Sequence, residues 1–469
     1  MHPRQADEPR QQWLYQEFKA AILSGRLPAG ARLPASRALA AEQSLARNTV
    51  LRTYEQLLAE GFIVADRKGT RVAELPSSPK SETPPPLHGA LSRRAGELPA
   101  RFQEPLLPFA PGVPDLSAFP WTRWSRQLQR AWGEVSARQL AQAAPGGEPA
   151  LRKAIADFVR MRRGVDCRPE QVFVAAGGHL ALDACARLLA DGGDTVWLEN
   201  PGYPSARSAM LAAGLKAVPV PVDAHGMAPE DNLWRTAPPR LIYLTPAYQY
   251  PLGATLSLER RLALLRRVEA GRQWIVEDDY GSEFDHQRPG HTPLSAMQSL
   301  LPDTPVVYVG TFSMLLYPGL RIGYLVVPRW AAAEFGQAFE SLYRTGHAVE
   351  QRALARFLDS GQALRHSRAM APVYRQRQSA LREALLQRFG PKTPILGGQA
   401  GLHLTALLPP DLRDTDIVDQ AARHGVTVRA LSSYAHPGTS AESMNGLVLG
   451  YGMADAERIP SLVARLVNS

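Results

Sequence analysis

From Leu106 onward, short apolar runs rich in Val, Ile and Leu alternate with stretches whose apolar residues recur at helical spacing. This alternation restricts the fold more than any other feature of the chain. Residues 171–175, 195–199, 240–244, 274–278 and 306–309 read as strands, and 178–190 and 258–270 as two of the intervening helices. Hydrophobicity is continuous along each strand, so both faces are covered, which predicts an α/β domain with a mostly parallel, doubly wound sheet. Ligands of such sheets bind beyond the carboxyl ends of the strands. Those ends carry five clusters: 176–179, 200–204, 245–250, 278–280 and 311–314.

The last cluster lies within the stretch VYVGTFSMLLYPGLRIGYLVVP at Val307–Pro328, where the strand breaks at Gly310 into a turn holding Thr311 and Ser313. Arg321 follows a Pro318–Gly319 turn, and a guanidinium returning towards those hydroxyls would take a phosphate in bidentate fashion. A plain surface turn beside a structural arginine is the alternative. Gly177 and Gly178 open a helix, whose bare N–H groups and dipole favour phosphate, or they serve packing alone. Asp278 ends an apolar strand, where a carboxylate would hold a pyridine nitrogen protonated, or would cap a helix or pair with a cation. Tyr280 and Tyr203 offer hydroxyls at neighbouring strand ends and equally suit packed amphipathic surface.

The first residues follow a different rhythm. Apolar positions at Trp13/Leu14, Phe18 and Ala21/Ile22 predict a helix over 13–24. A second helix over 37–43 has Ser36 as its expected N-cap, and a third runs from about Arg47 to Glu60. On the third helix Val50, Tyr54, Leu57 and Leu58 form the expected packing face, leaving Asn48, Thr49, Arg52 and Thr53 on the free one. Residues 62–65 and 70–73 read as a hairpin with Lys68 at its basic tip. Three helices and a basic hairpin are the parts of a winged helix-turn-helix, in which Arg and Asn suit base edges and Lys suits phosphate. A small helical subdomain with a solvated basic face is the other reading of the same spacing.

Between the two rhythms, residues 75–114 are dense in proline, with Ser, Lys and Glu interleaved, and predict an extended, semi-rigid tether. A proline-directed peptide ligand is the alternative. The expected boundaries are 10–75 for the head, 76–105 for the linker and 106–469 for the large domain. A net charge of +9 raises the case for an anionic partner. The first residues lack an apolar signal core, and no run of about 18 apolar residues occurs, so a cytoplasmic protein without membrane insertion is expected. Cys167 and Cys185 have neither disulfide-framework nor metal spacing and read as buried free thiols.

The head, PAGARLPASRALAAEQSLARNTVLRTYEQLLAEGFIVADRKGT, is very similar to the GntR-family DNA-binding domain over most of Leu14–Val72. GTFSMLLYPGLRIGY resembles the active-site segment of fold-type-I aminotransferases in the form carried by MocR-type regulators, roughly GTFSKxLxPGLRxGY. The likeness runs from PGVPDLSAFPWTRW through ENPGYPSAR, LSLERRLALL and VEDDYGSEF to LVLGYG. It implies a winged helix-turn-helix domain joined to an α/β PLP-dependent transferase-like domain. Arg37, Arg47, Asn48, Thr49 and Arg52 would face DNA, with Lys68 on the wing. Asp278 would meet the pyridine nitrogen of pyridoxal 5'-phosphate, Tyr280 the ring oxygen, and Thr311, Ser313 and Arg321 the phosphate beside Gly177 and Gly178, while Tyr203 would lie near the substrate. The resemblance also implies a homodimer on a double-stranded DNA operator of two half-sites.

Several positions depart from that pattern. Met314 stands where the family has the lysine that holds the cofactor covalently, and a thioether has no amine to condense with an aldehyde. No lysine lies between Lys216 and Lys392. Ala46 replaces a capping Ser, Gly281 an Asp and Leu252 the middle residue of PTG, and Leu447–Leu449 lacks the arginine that pairs with a substrate carboxylate. The expectation is therefore a transcription regulator without catalytic residues or a metal. Its large domain would sense a small effector (pyridoxal phosphate held noncovalently, or an amino compound) and dimerise. The competing class is a working aminotransferase with an accessory DNA-binding domain, and a general DNA-coating protein is a third. Operator, effector and sign of regulation are not legible in these residues.

Overall fold

The computed structural model describes residues 8–67, 69–75, 92–96, 98, 106–284, 294–301 and 303–467. The chain divides into two compact units, Met1–Ala90 and Leu91–Ser469. In the first, α1 (Arg10–Leu23), α2 (Ser36–Glu42) and α3 (Arg47–Ala59) are followed by a hairpin of β1 (Ile63–Asp66) and β2 (Gly69–Val72). Asp66 pairs with Gly69, and the expected wing-tip Lys68 lies outside the described residues. Leu14, Phe18, Ile22, Leu39, Val50, Leu57, Ile63 and Val72 form the core of this unit.

Three local expectations for the head are corrected. Ser36 is the first helical residue and Ala35 the N-cap, with no side-chain cap hydrogen bond. Thr53 is buried, whereas Leu58 is exposed. The buried stripe is Val50, Thr53 and Leu57, at i, i+3 and i+7, which Leu58 overshoots. Thr53 tolerates burial because its hydroxyl donates to the Thr49 carbonyl at 2.9 Å.

The second unit is built on an eight-stranded sheet: β3 (Val172–Ala175), β4 (Thr195–Asn200), β5 (Lys216–Asp223), β6 (Gly226–Met227), β7 (Leu241–Leu244), β8 (Trp274–Asp279), β9 (Val306–Thr311) and β10 (Gly323–Val326). Their spatial order is β3-β10-β9-β8-β7-β4-β5-β6. The sheet is mostly parallel, as expected, with β10 antiparallel to both neighbours and β6 antiparallel to β5. Sequence reasoning passed over β5 because Pro219 and Pro221 argue against a strand. They are accommodated because β6 pairs only with Val222 and Asp223, leaving the proline stretch with one partner, β4.

A separate four-stranded antiparallel sheet contains β11 (Ile395–Gly397), β12 (His403–Leu407), β13 (Arg429–Ala430) and β14 (Gly446–Gly450), in the order β11-β12-β14-β13. Within the expected tether, Arg93–Gly96 is a helical turn rather than extended chain. Arg94 donates to the carbonyl of Ala212 at 3.2 Å, at the carboxyl end of helix Pro204–Ala212, where a cation suits the helix dipole. Cys167 and Cys185 are free and buried. Among the described residues no helix is long and apolar enough to cross a membrane.

Candidate functional site

Strand direction decides what meets at the sheet edge. β4, β7, β8 and β9 run parallel, and β3 points the same way because β10 reverses direction between β3 and β9. The carboxyl ends of these strands therefore share one edge with the amino end of β10, just after Arg321. Gly323 pairs with Ala175 on one side and Thr311 on the other, which brings Arg321 beside Gly177.

The approach is close. A Cβ on Gly177 would lie 2.8 Å from the Arg321 guanidinium carbon, and Gly177 has φ of +90°. Arg321 is itself left-handed at φ 51°, a conformation costly for a side chain-bearing residue, and its Nη2 donates to the Ala176 carbonyl at 3.3 Å. Thr311 and Ser313 hydroxyls are 2.9 Å apart, and the Ser313 N–H donates to the Thr311 hydroxyl at 3.2 Å. A guanidinium, two hydroxyls and the N-terminus of helix Gly178–Leu189 are gathered at one place, a chemistry suited to a phosphate. Gly177→Ala is expected to cost about 1–3 kcal/mol, because φ +90° with ψ 168° is a conformation nearly confined to glycine, and to unseat Arg321. Gly178→Ala meets nothing closer than 3.8 Å and should be near neutral; thermal unfolding of the two variants checks the contrast.

Asp278 and Asp279 separate by strand alternation. Asp279 is tied inward, with Arg163 at 2.7 Å and hydroxyls of Tyr308 and Ser282 at 2.6 and 2.7 Å. Asp278 faces the other way and accepts from the Tyr243 hydroxyl at 2.8 Å. Burial pushes its carboxyl up to about 7, against the lowering effect of that hydrogen bond. Glu199 is likewise pushed up to about 7 by burial, although Thr245 donates to it through its hydroxyl at 2.6 Å and its N–H at 3.2 Å. A buried carboxyl near neutrality is poised to ionise when a cation arrives.

The sign of the stability effect follows. Folded Asp278 keeps its proton between its ordinary value of 3.8 and about 7, where the unfolded chain has lost it. Stability therefore falls as pH rises across that window and levels above it. Asp278→Asn removes the penalty, so the variant should gain on the parent by up to about 4 kcal/mol between pH 4 and pH 8. Denaturant unfolding at both pH values measures this; a gap that does not change with pH would refute it.

Within electrostatic reach of Asp278 lies a tyrosine cluster that sequence reasoning only partly anticipated. Tyr203 caps helix Pro204–Ala212, and its ring meets Tyr250 at 5.8 Å between centroids. Tyr250 in turn meets Tyr280 at 5.5 Å, Tyr434 at 5.3 Å and His403 at 4.9 Å. Tyr243, Tyr434, His403 and Glu199 were not singled out, because their approach depends on sheet order and on the second, antiparallel sheet. The Tyr280 hydroxyl is buried and has no hydrogen-bond partner among the described residues. Met314 is buried in the large core cluster.

In the head, Arg37, Arg47, Asn48 and Arg52 are exposed and Thr49 is half-buried. Arg47, Asn48, Thr49 and Arg52 share the first turns of α3, and Ala46 is its N-cap without a side-chain hydrogen bond.

Residues 106–440 match the family of aminotransferases of class I and II, and residues 10–72 match bacterial regulatory proteins of the gntR family. The chain is 38% identical to the probable rhizopine catabolism regulatory protein MocR of Rhizobium meliloti, over 99% of this chain and 94% of that protein. It belongs to the MocR-type regulators of the GntR family. The pyridoxine biosynthesis transcriptional regulator PdxR of Corynebacterium glutamicum is 32% identical over 97% of this chain and 95% of its own. Among solved structures, the alpha-aminoadipate aminotransferase LysN of Thermus thermophilus, complexed with N-(5'-phosphopyridoxyl)-L-leucine, matches at a TM-score of 0.70 and 26% identity, covering 80% of this chain and 96% of that one. This MocR-type chain is thus a transcriptional regulator with a DNA-binding winged-helix domain and a fold-type-I aminotransferase domain.

Proposed function

We propose that this regulator uses its aminotransferase-like domain to sense a small ligand rather than to transaminate. The observation that carries the reading is the pairing of a built cradle with a buried thioether at position 314, where the family motif has its lysine. Two features fit pyridoxal 5'-phosphate: the orphaned Tyr280 hydroxyl, and the space that Gly177 leaves for Arg321. Gly177, Gly178, Thr311, Ser313 and Arg321 would hold the phosphate, Asp278 the ring nitrogen, and Tyr280 the ring oxygen, with Tyr203 on the effector side. When bound, the cofactor supplies an electron-withdrawing ring and an aldehyde that amines recognise. In this chain Asp278, oriented by Tyr243, would hold a proton on the ring nitrogen, and the tyrosine cluster would exclude water.

Three or four charge-assisted hydrogen bonds at about 1.5–3 kcal/mol each, less association costs of several kcal/mol, place noncovalent affinity between roughly millimolar and micromolar. The relative whose structure holds a phosphopyridoxyl amino acid supports this ligand class. We further infer a homodimer, which would want an operator of two half-sites. Dialysis of the purified protein against pyridoxal phosphate, with absorbance and sedimentation readouts, tests both. Saturable binding that borohydride cannot make permanent is expected; turnover of any amino acid with a keto acid would overturn the reading.

A further inference from the structure

We propose that the linker reads the occupancy of the ligand site through helix Pro204–Ala212, and that Arg94 is the residue that couples the two. The helix has the site at one end and the linker at the other. Its N-cap is Tyr203, a member of the tyrosine cluster within electrostatic reach of Asp278. Three residues into the helix, Arg207 donates to the carbonyl of Ala435 at 2.8 Å, between Tyr434 and His436. At the far end the N–H groups of Ala213, Gly214 and Leu215 bond to the carbonyls of Ala209, Leu211 and Met210. The carbonyl of Ala212 accepts from Arg94 instead, at 3.2 Å. A helix leaves its last carbonyls without backbone partners, and here the linker supplies one.

Both sides are shaped for this contact. Ser92 turns the linker at this spot: the N–H of Ala95 donates to its carbonyl at 2.9 Å and its hydroxyl at 3.2 Å, and the N–H of Gly96 to its carbonyl at 3.4 Å. On the domain side Gly214 leaves room for the guanidinium, since a Cβ there would lie 3.4 Å from Arg94 Nη1. The turn falls between the two matched families, which end at residue 72 and begin at residue 106. It belongs to neither fold, yet it lies on the only stretch of chain that joins them.

The start of the helix has slack. Glu199, Tyr203, Arg207, Tyr243, Tyr434 and His436 line a void of about 10 Å³ there, room for one water. Tyr243 is also the hydroxyl that holds Asp278, so a ligand that ionises Asp278 acts on a wall of that void. The nine residues of the helix span about 13 Å and move as a rod. A displacement of about half an ångström at Tyr203 therefore reaches Ala212, enough to take a bond of 3.2 Å beyond hydrogen-bonding range. Small shifts of packed helices are an established form of switching.

This inference rests on the reading of the large domain as a ligand sensor, and the experiment separates the two. The full-length parent selects a duplex from a random-sequence library, and affinity for that duplex is measured with and without pyridoxal phosphate, beside R94A and R94K. Absorbance titration follows the binding of pyridoxal phosphate to each protein. Arg94 is exposed, so both variants should fold. The expected result is a change in duplex affinity of at least about 5-fold when the parent takes up pyridoxal phosphate, and a factor near one in R94A, which still binds it. R94K should recover the factor, because its ammonium can donate to the same carbonyl. Each factor compares two states of one protein, so the lost charge cancels. Hydrogen exchange at Ala95 and Gly96 should change with pyridoxal phosphate in the parent and not in R94A. Equal factors in R94A and R94K, whether kept or lost, overturn the coupling. A parent that binds pyridoxal phosphate with no change in duplex affinity or exchange also overturns it and leaves the ligand site standing. A parent that binds no pyridoxal phosphate sinks the ligand reading and the inference together.

Discussion

Met314→Lys should bind pyridoxal phosphate covalently. The thioether is buried among apolar side chains, so a lysine there would be desolvated, its ammonium form disfavoured, and the free amine presented beside Thr311 and Ser313. Without ligand the variant should be destabilised by a few kcal/mol, the cost of a buried amine. With pyridoxal phosphate it should acquire an absorbance band above the protein's own, gain the mass of a pyridoxyl group after borohydride reduction, and recover thermal stability by ligand linkage. A folded variant showing none of the three would mean that Gly177, Arg321 and Asp278 no longer form a cofactor cradle.

The second large effect lies in the head. Arg47 and Asn48 are exposed at the start of α3, the end of the helix proposed to meet base edges. Replacing either with Ala should cost about 1–3 kcal/mol of DNA binding and relax the preference at one base position; the pair should reduce affinity for the selected operator by 100-fold or more. Because both side chains are exposed, thermal stability should scarcely move. Selection of binding sites by each variant, compared with the parent, measures the change. Unaltered preference in both would move recognition away from the start of α3.

These two expectations differ in how far they could be reached from the residues alone. Helical spacing and the GntR likeness put Arg47, Asn48, Thr49 and Arg52 at the start of one helix, and all four are found there. The wheel erred at Thr53 and Leu58 because a threonine hydroxyl that satisfies itself on the preceding turn can be buried while a leucine at the stripe's edge stays outside. In the large domain, apolar runs marked the strands whose ends carry Gly177, Asp278 and Thr311, since those strands are hydrophobic on both faces. β5 escaped because two prolines disguised it, and the reversal of β10 escaped because antiparallel direction leaves no trace in a single strand.

Local chemistry was thus legible in the order of residues: the glycines that open a helix, the hydroxyl turn, the arginine after Pro318–Gly319 and the absent lysine amine at 314 depend on neighbours a few positions away. Long-range association was not. Only the folded sheet, by reversing β10 between β3 and β9, brings Arg321 over Gly177, and only the second sheet carries His403 into the tyrosine cluster beside Asp278. Burial then moves Asp278 and Glu199 towards neutrality, a consequence of the dielectric around a side chain rather than of its identity.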